Sequence, residues 1–154
     1  MAVYYLDTSA LVKRYVLEVG TTWVLALADP LAGNDLYIER ITGPELIAAL
    51  FRKVLTREVS HGDASRASTN FRADFTSQYH VVEITAVLVE RAMTLAQEQG
   101  LRGYDAIQLA AASELHTLRN TIGLAPLTFI SADSGLNRVA ELQGLTADDP
   151  NTHD

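Results

Sequence analysis

Val3-Tyr4-Tyr5-Leu6-Asp7-Thr8-Ser9-Ala10-Leu11 changes character at a single residue. Its first four residues are a continuous apolar run, as suits a strand buried on both faces. Asp7 ends the run, and helical spacing follows over residues 8–17. The rest of the chain repeats this alternation. Leu36-Tyr37-Ile38, residues 79–84 and Leu127-Thr128-Phe129-Ile130 are three further short apolar runs. Between them lie helical stretches over Thr21–Ala28, 44–58, 63–78, Ala86–Gln99, 104–119 and Ser134–Leu142. Leu46, Leu50 and Val54 share one face of the second of these. Asp63 is placed to cap the third, and Gly100 to end the fourth. Strands separated by helices predict an α/β fold with a central parallel sheet covered on both faces. Residues 1–146 read as one domain, and residues 147–154 as a polar, frayed tail.

The composition suits such a domain. The 154 residues are 48% hydrophobic and 20% charged, which describes a globular chain and excludes a disordered one. No apolar run approaches the ~20 residues of a membrane span. The opening residues lack the pattern of a secretory signal. Cysteine is absent, which removes disulfides and thiolate zinc sites and fits a cytoplasmic protein. The net charge of −7 argues against a general nucleic-acid coat protein, which would be basic. It leaves room for a nuclease whose acids bind divalent cations. Ten of the 12 basic residues are arginines, which favour bidentate phosphate contacts.

In open α/β sheets the functional groups gather beyond the carboxyl ends of the strands. Asp7 follows the first strand and Asp133 closely follows the fourth. Glu45 and Asp105 each stand at the start of a helix. Singly, each has an ordinary explanation. Asp7 and Asp133 suit helix N-caps. Thr42-Gly43-Pro44-Glu45 matches a capping box, and Asp105 suits a helix N-terminus. Together, four acids at four matching positions are what a hard cation such as Mg²⁺ or Mn²⁺ needs. Ser9 and Ser131 are near enough in sequence to support them by hydrogen bonds. Lys13, Arg14 and Arg102 are candidate substrate contacts, while Arg52, Lys53 and Arg57 read as a surface stripe. The four histidines stand in no metal-binding spacing.

The stretches around these acids resemble the VapC-type PIN domains. Tyr5-Leu6-Asp7-Thr8-Ser9-Ala10-Leu11-Val12-Lys13-Arg14-Tyr15 is similar to their opening, and Pro44-Glu45-Leu46-Ile47-Ala48-Ala49-Leu50 to their second motif. Tyr104-Asp105-Ala106-Ile107-Gln108-Leu109-Ala110-Ala111-Ala112 resembles the third, and Phe129-Ile130-Ser131-Ala132-Asp133 the fourth. The resemblance implies a three-layer α/β/α sandwich and Mg²⁺- or Mn²⁺-dependent endonucleolytic cleavage of RNA, with Asp7, Glu45, Asp105 and Asp133 as catalytic metal ligands. It also implies the toxin role in a toxin–antitoxin pair, a VapB-type antitoxin as partner, and a homodimer.

Other enzymes with Asp after a first parallel strand fit less well. A haloacid-dehalogenase-like phosphatase needs a second Asp where Ser9 stands, and a receiver domain needs a late lysine, whereas the lysines are Lys13 and Lys53. An RNase H-like nuclease would continue into a hairpin, not a helix. A flap-endonuclease relative would be longer. A catalytically inactive PIN-type module that binds RNA or protein is the non-enzymatic alternative, and loss of an acid would be its mark.

Overall fold

The computed structural model describes residues 1–153. Strand β1 (Val3–Leu6) leads into helix α1 (Thr8–Leu11), α2 (Thr21–Ala28), β2 (Asp35–Glu39), α3 (Thr42–Leu55) and α4 (His61–Ser77). Then come β3 (His80–Val82), α5 (Ala86–Gln99), α6 (Gly103–Thr121), β4 (Thr128–Ile130), α7 (Ser134–Leu142) and β5 (Thr146–Asp148). The strands form one parallel sheet in the order β3-β2-β1-β4-β5. β1 is central because its residues are apolar on both faces. Tyr5 packs with Phe129 against α5, α6 and α7, and Leu6 with Ile38 and Ile130 against α1 to α4. The result is the expected three-layer α/β/α sandwich.

Several boundaries differ from the sequence reading. The first helix is short: α1 ends at Leu11 and tightens into a 3-10 turn over Val12–Arg14. Helix α4 starts at His61, with the Ser60 hydroxyl, not Asp63, as its cap. Gly100 does end α5, at a left-handed φ of 65°.

The largest correction concerns the frayed tail. Thr146–Asp148 is the fifth strand, pairing with Thr128, Phe129 and Ile130. A short edge strand needs no apolar run, so its polar sequence concealed it. A 3-10 turn over Pro150–Thr152 follows. The His153 ring stacks on Trp23 of α2 at 4.2 Å between centroids, and its Nε2 lies 2.7 Å from an Asp148 carboxylate oxygen. Only Asp154 of the expected tail lies outside the described residues.

This closing turn rests on Gly20, where φ is +85° and a Cβ would lie 2.4 Å from the Pro150 carbonyl oxygen. Gly20→Ala adds both a clash and left-handed strain, so a loss of about 2 kcal/mol or more is expected. Thermal melting should register it as a fall of roughly 4–8 °C.

Candidate active site at the C-terminal edge of the sheet

Asp7 is the deepest of the four acids, at 4% exposure. Its backbone N–H continues the sheet by donating to the Ile130 carbonyl at 3.1 Å. One carboxylate oxygen accepts from the Ser9 hydroxyl at 2.7 Å and the Ala10 N–H at 3.0 Å. The other accepts from the Ser131 hydroxyl at 2.7 Å. Asp7 therefore caps α1 and is also clamped by two serines. Both hydroxyl protons point to Asp7, so the 3.3 Å contact between Ser9 and Ser131 has no donor left. Ser9 in turn accepts from the Ala132 N–H and Ser131 from the Asp133 N–H, which ties the loop after β4 to the loop after β1.

The other acids step outward. Glu45 and Asp105 are half-buried, on the first turns of α3 and α6. Asp133 is exposed and caps α7, accepting from the Gly135 and Leu136 amides at 2.9 and 3.1 Å. The capping box expected at Thr42 is absent. Helix α3 begins at Thr42 itself, and the hydroxyl of Thr42 accepts from Gln108 instead.

Electrostatics join these residues. Burial pushes the Asp7 carboxyl up to about 6, against the opposing hydrogen bonds of Ser9, Ser131 and Ala10, and the charge of Asp105 pushes the same way. Burial also raises Glu45, where Gln108 and Thr8 oppose it and Asp105 adds to it. Asp105 is raised by burial and by Asp133, with Arg102 opposing. The charge of Asp105 thus acts on Asp7 and Glu45, and that of Asp133 acts on Asp105. Among the described residues no three acidic or histidine side chains close around one coordinating point. Every donor is a carboxylate or hydroxyl oxygen, a set that suits a hard divalent cation and no soft one.

The basic candidates divide. Arg102 is exposed at the N-cap of α6, and its charge acts on Asp105. Lys13 is buried with its ammonium 3.2 Å from Glu18, which also pairs with Lys53 at 2.5 Å. Arg14 donates to the Tyr79 hydroxyl at 2.6 Å and lies 3.6 Å from Asp74. The geometry therefore takes Lys13 and Arg14 out of the candidate substrate contacts. Both fasten the protein to itself.

The PIN domain profile matches residues 4–142. The chain belongs to the PIN domain family. Ribonuclease VapC45 and ribonuclease VapC49, both of Mycobacterium tuberculosis, are each 34% identical to it over 113 residues, covering 73% of this chain and 76% of theirs. The crystal structure of PAE2754 from Pyrobaculum aerophilum superposes with a TM-score of 0.60 at 24% identity, over 99% of this chain and 94% of that one. VapBC2 from Rickettsia felis, bound to a DNA fragment from its promoter, gives 0.60 at 14% identity, over 96% and 98%. These two likenesses speak for the PIN fold.

The sequence reading of this PIN domain missed Gln108. It is buried on α6, one turn after Asp105, in an alanine-rich stretch that otherwise reads as packing. The Tyr5 hydroxyl donates to its carbonyl oxygen at 2.9 Å. That bond turns the amide nitrogen toward the Thr42 hydroxyl at 2.9 Å and Glu45 at 3.2 Å, with Thr8 at a longer 3.4 Å. One side chain thus joins β1, α3 and α6 beneath the acids. A lone glutamine among helical alanines was the available signal. Gln108→Leu leaves the buried Tyr5 hydroxyl without its acceptor, and about 1–3 kcal/mol should be lost. Denaturant titration of Gln108→Leu, Tyr5→Phe and the double variant checks this. The double variant should lose less than the sum of the two singles.

Proposed function

We propose that the chain is a Mg²⁺- or Mn²⁺-dependent endoribonuclease that hydrolyses RNA phosphodiester bonds as the toxin of a toxin–antitoxin pair. The observation that carries this reading is the clamped acid Asp7, which feels the charge of Asp105, while Asp105 in turn acts on Glu45 and feels Asp133. Two relatives named ribonuclease VapC support the substrate class. Asp7, Glu45, Asp105 and Asp133 would hold the cation. When bound, it supplies a water acidified to near-neutral pH and positive charge at the scissile phosphate. The chain's own residues do the rest. Ser9 and Ser131 hold Asp7 in one orientation, Gln108 aims Glu45, and exposed Arg102 stands where an incoming phosphate passes Asp105.

The partner is a VapB-type antitoxin, in keeping with the VapBC2 complex that shares the fold. A largely apolar groove of ≈ 760 Å³, lined by Ile41, Pro44, Ile47 and Phe75 and flanked by Arg40 and Arg72, lies beside Glu45's helix and offers it a seat. The homodimer implied by the resemblance belongs to the same reading. No helix among the described residues is long and apolar enough to cross a membrane.

The test is cleavage of total RNA by the purified chain with Mg²⁺, with Mn²⁺ and with chelator. Fragments that require metal are expected, and the sequences of their ends identify the target. An absence of fragments from a preparation that mass spectrometry shows to be free of any second protein overturns the proposal.

A further inference from the structure

Ser131 is fully buried, and every polar atom it has is engaged. Its hydroxyl donates to Asp7 at 2.7 Å and accepts from the Asp133 N–H at 3.1 Å. Its own N–H donates to the Asp148 carbonyl at 3.2 Å, which carries the β4–β5 ladder one step past Ile130. In a parallel pair the ladder bonds are evenly spaced, on alternate residues of each strand. Because Asp148 takes the Ser131 N–H, the next donor, for the Ser131 carbonyl, would be residue 150. That residue is Pro150, which has no N–H. The sheet therefore runs one donor short at the residue that clamps Asp7.

Asn137 supplies the donor. It lies on the buried face of α7 with Leu136 and Ala140. Its Nδ2 donates to the Ser131 carbonyl at 2.8 Å, in a buried contact. A carbonyl can only accept, so the amide N–H is the group that faces it. The Asn137 Oδ1 is shielded from solvent and has no hydrogen-bond partner among the described residues. An apolar side chain, the usual choice on such a face, would avoid the cost of that bare oxygen. The N–H is what this position contributes. Asp133 caps α7, and α7 returns Asn137 to the loop that Asp133 ends. A turn of the Ser131 backbone would carry its hydroxyl away from Asp7 and from the Asp133 N–H together, and the Asn137 bond opposes that turn.

We propose that Asn137 is a positioning residue of the active site: it replaces the strand donor that Pro150 lacks and fixes Ser131 in the orientation that clamps Asp7. The role rests on the ribonuclease reading above, and the experiment separates the two. Amide hydrogen exchange is followed by NMR in the full chain and in Asn137→Leu, without RNA or metal. The Ala132 and Asp133 amides, which donate to the two clamp hydroxyls, should exchange faster by about 10-fold relative to Tyr5 and Leu6 of β1. A general loss of stability would speed all four alike. With RNA and Mn²⁺, Asn137→Leu should lower kcat about 10–100-fold and leave KM unchanged. Ser131→Ala should add little in that background, because both substitutions release the same clamp. Parent-like exchange of the loop amides, a parent-like kcat, or fully additive losses in the double variant each overturn the role of Asn137. A parent chain that cleaves no RNA overturns the ribonuclease reading, and the exchange comparison still decides whether Asn137 fixes the loop. Should Asn137→Leu not fold, Asn137→Ala removes the same donor and carries the same comparison.

Discussion

Asp7→Asn is expected to abolish RNA cleavage while the protein becomes more stable. The two effects have one cause. Asp7 is buried and its carboxyl is displaced from 3.8 to about 6. A carboxyl that ionises less readily in the folded than in the unfolded chain contributes its full stability below about pH 4 and loses it as pH rises through 6. A shift of about 2 units corresponds to roughly 3 kcal/mol at neutral pH. Asparagine removes that penalty and keeps an oxygen for the Ala10 amide, so α1 retains a good cap. In chelator at pH 7 the variant should therefore melt above the parent, and the gap should close near pH 4. Its activity should fall well beyond the ~10–100-fold typical of losing a group that merely supports a metal ligand. Cleavage at the parent rate by a folded Asp7→Asn would remove Asp7 from the chemistry.

Saturating Mn²⁺ or Mg²⁺ should raise the melting temperature strongly at pH 7. A ligand present at a hundred times its dissociation constant adds about 2.7 kcal/mol when it binds only the folded chain. At roughly 2–4 °C per kcal/mol for a domain of this size, the rise is about 5–11 °C. Asp7 titrates near 6, and Glu45 and Asp105 are also raised. Protons compete with metal for all three, so the rise should shrink below pH 6 and vanish near pH 4. Differential scanning fluorimetry across pH 4–8, with and without metal, reads it directly. A melting temperature indifferent to saturating metal at pH 7 would count against a cation site at these acids.

Much of the architecture was legible because strands buried on both faces are mostly apolar. Val3–Leu6, Leu36-Tyr37-Ile38 and Leu127–Ile130 announce themselves for that reason. The places of the four acids in the fold were legible too, since each follows a strand or opens a helix. What escaped was set by partners far away in sequence. Gln108 matters through Tyr5 and Glu45, and nothing near it in the chain says so. Lys13 looked like a surface cation and is buried on Glu18. The fifth strand was hidden because half-exposed edges accept threonine and aspartate.

The clamp on Asp7 also has a consequence for biosynthesis. Ser131 lies 124 positions after the acid it holds, and the strand beside β1 that carries it is β4. A ribosome has added 124 further residues before Asp7 can meet this serine. Until then Asp7 has Ser9 but no second clamp, and Asp105 and Asp133 are absent or unplaced. Products that stop short of Ser131 therefore lack the clamp on Asp7.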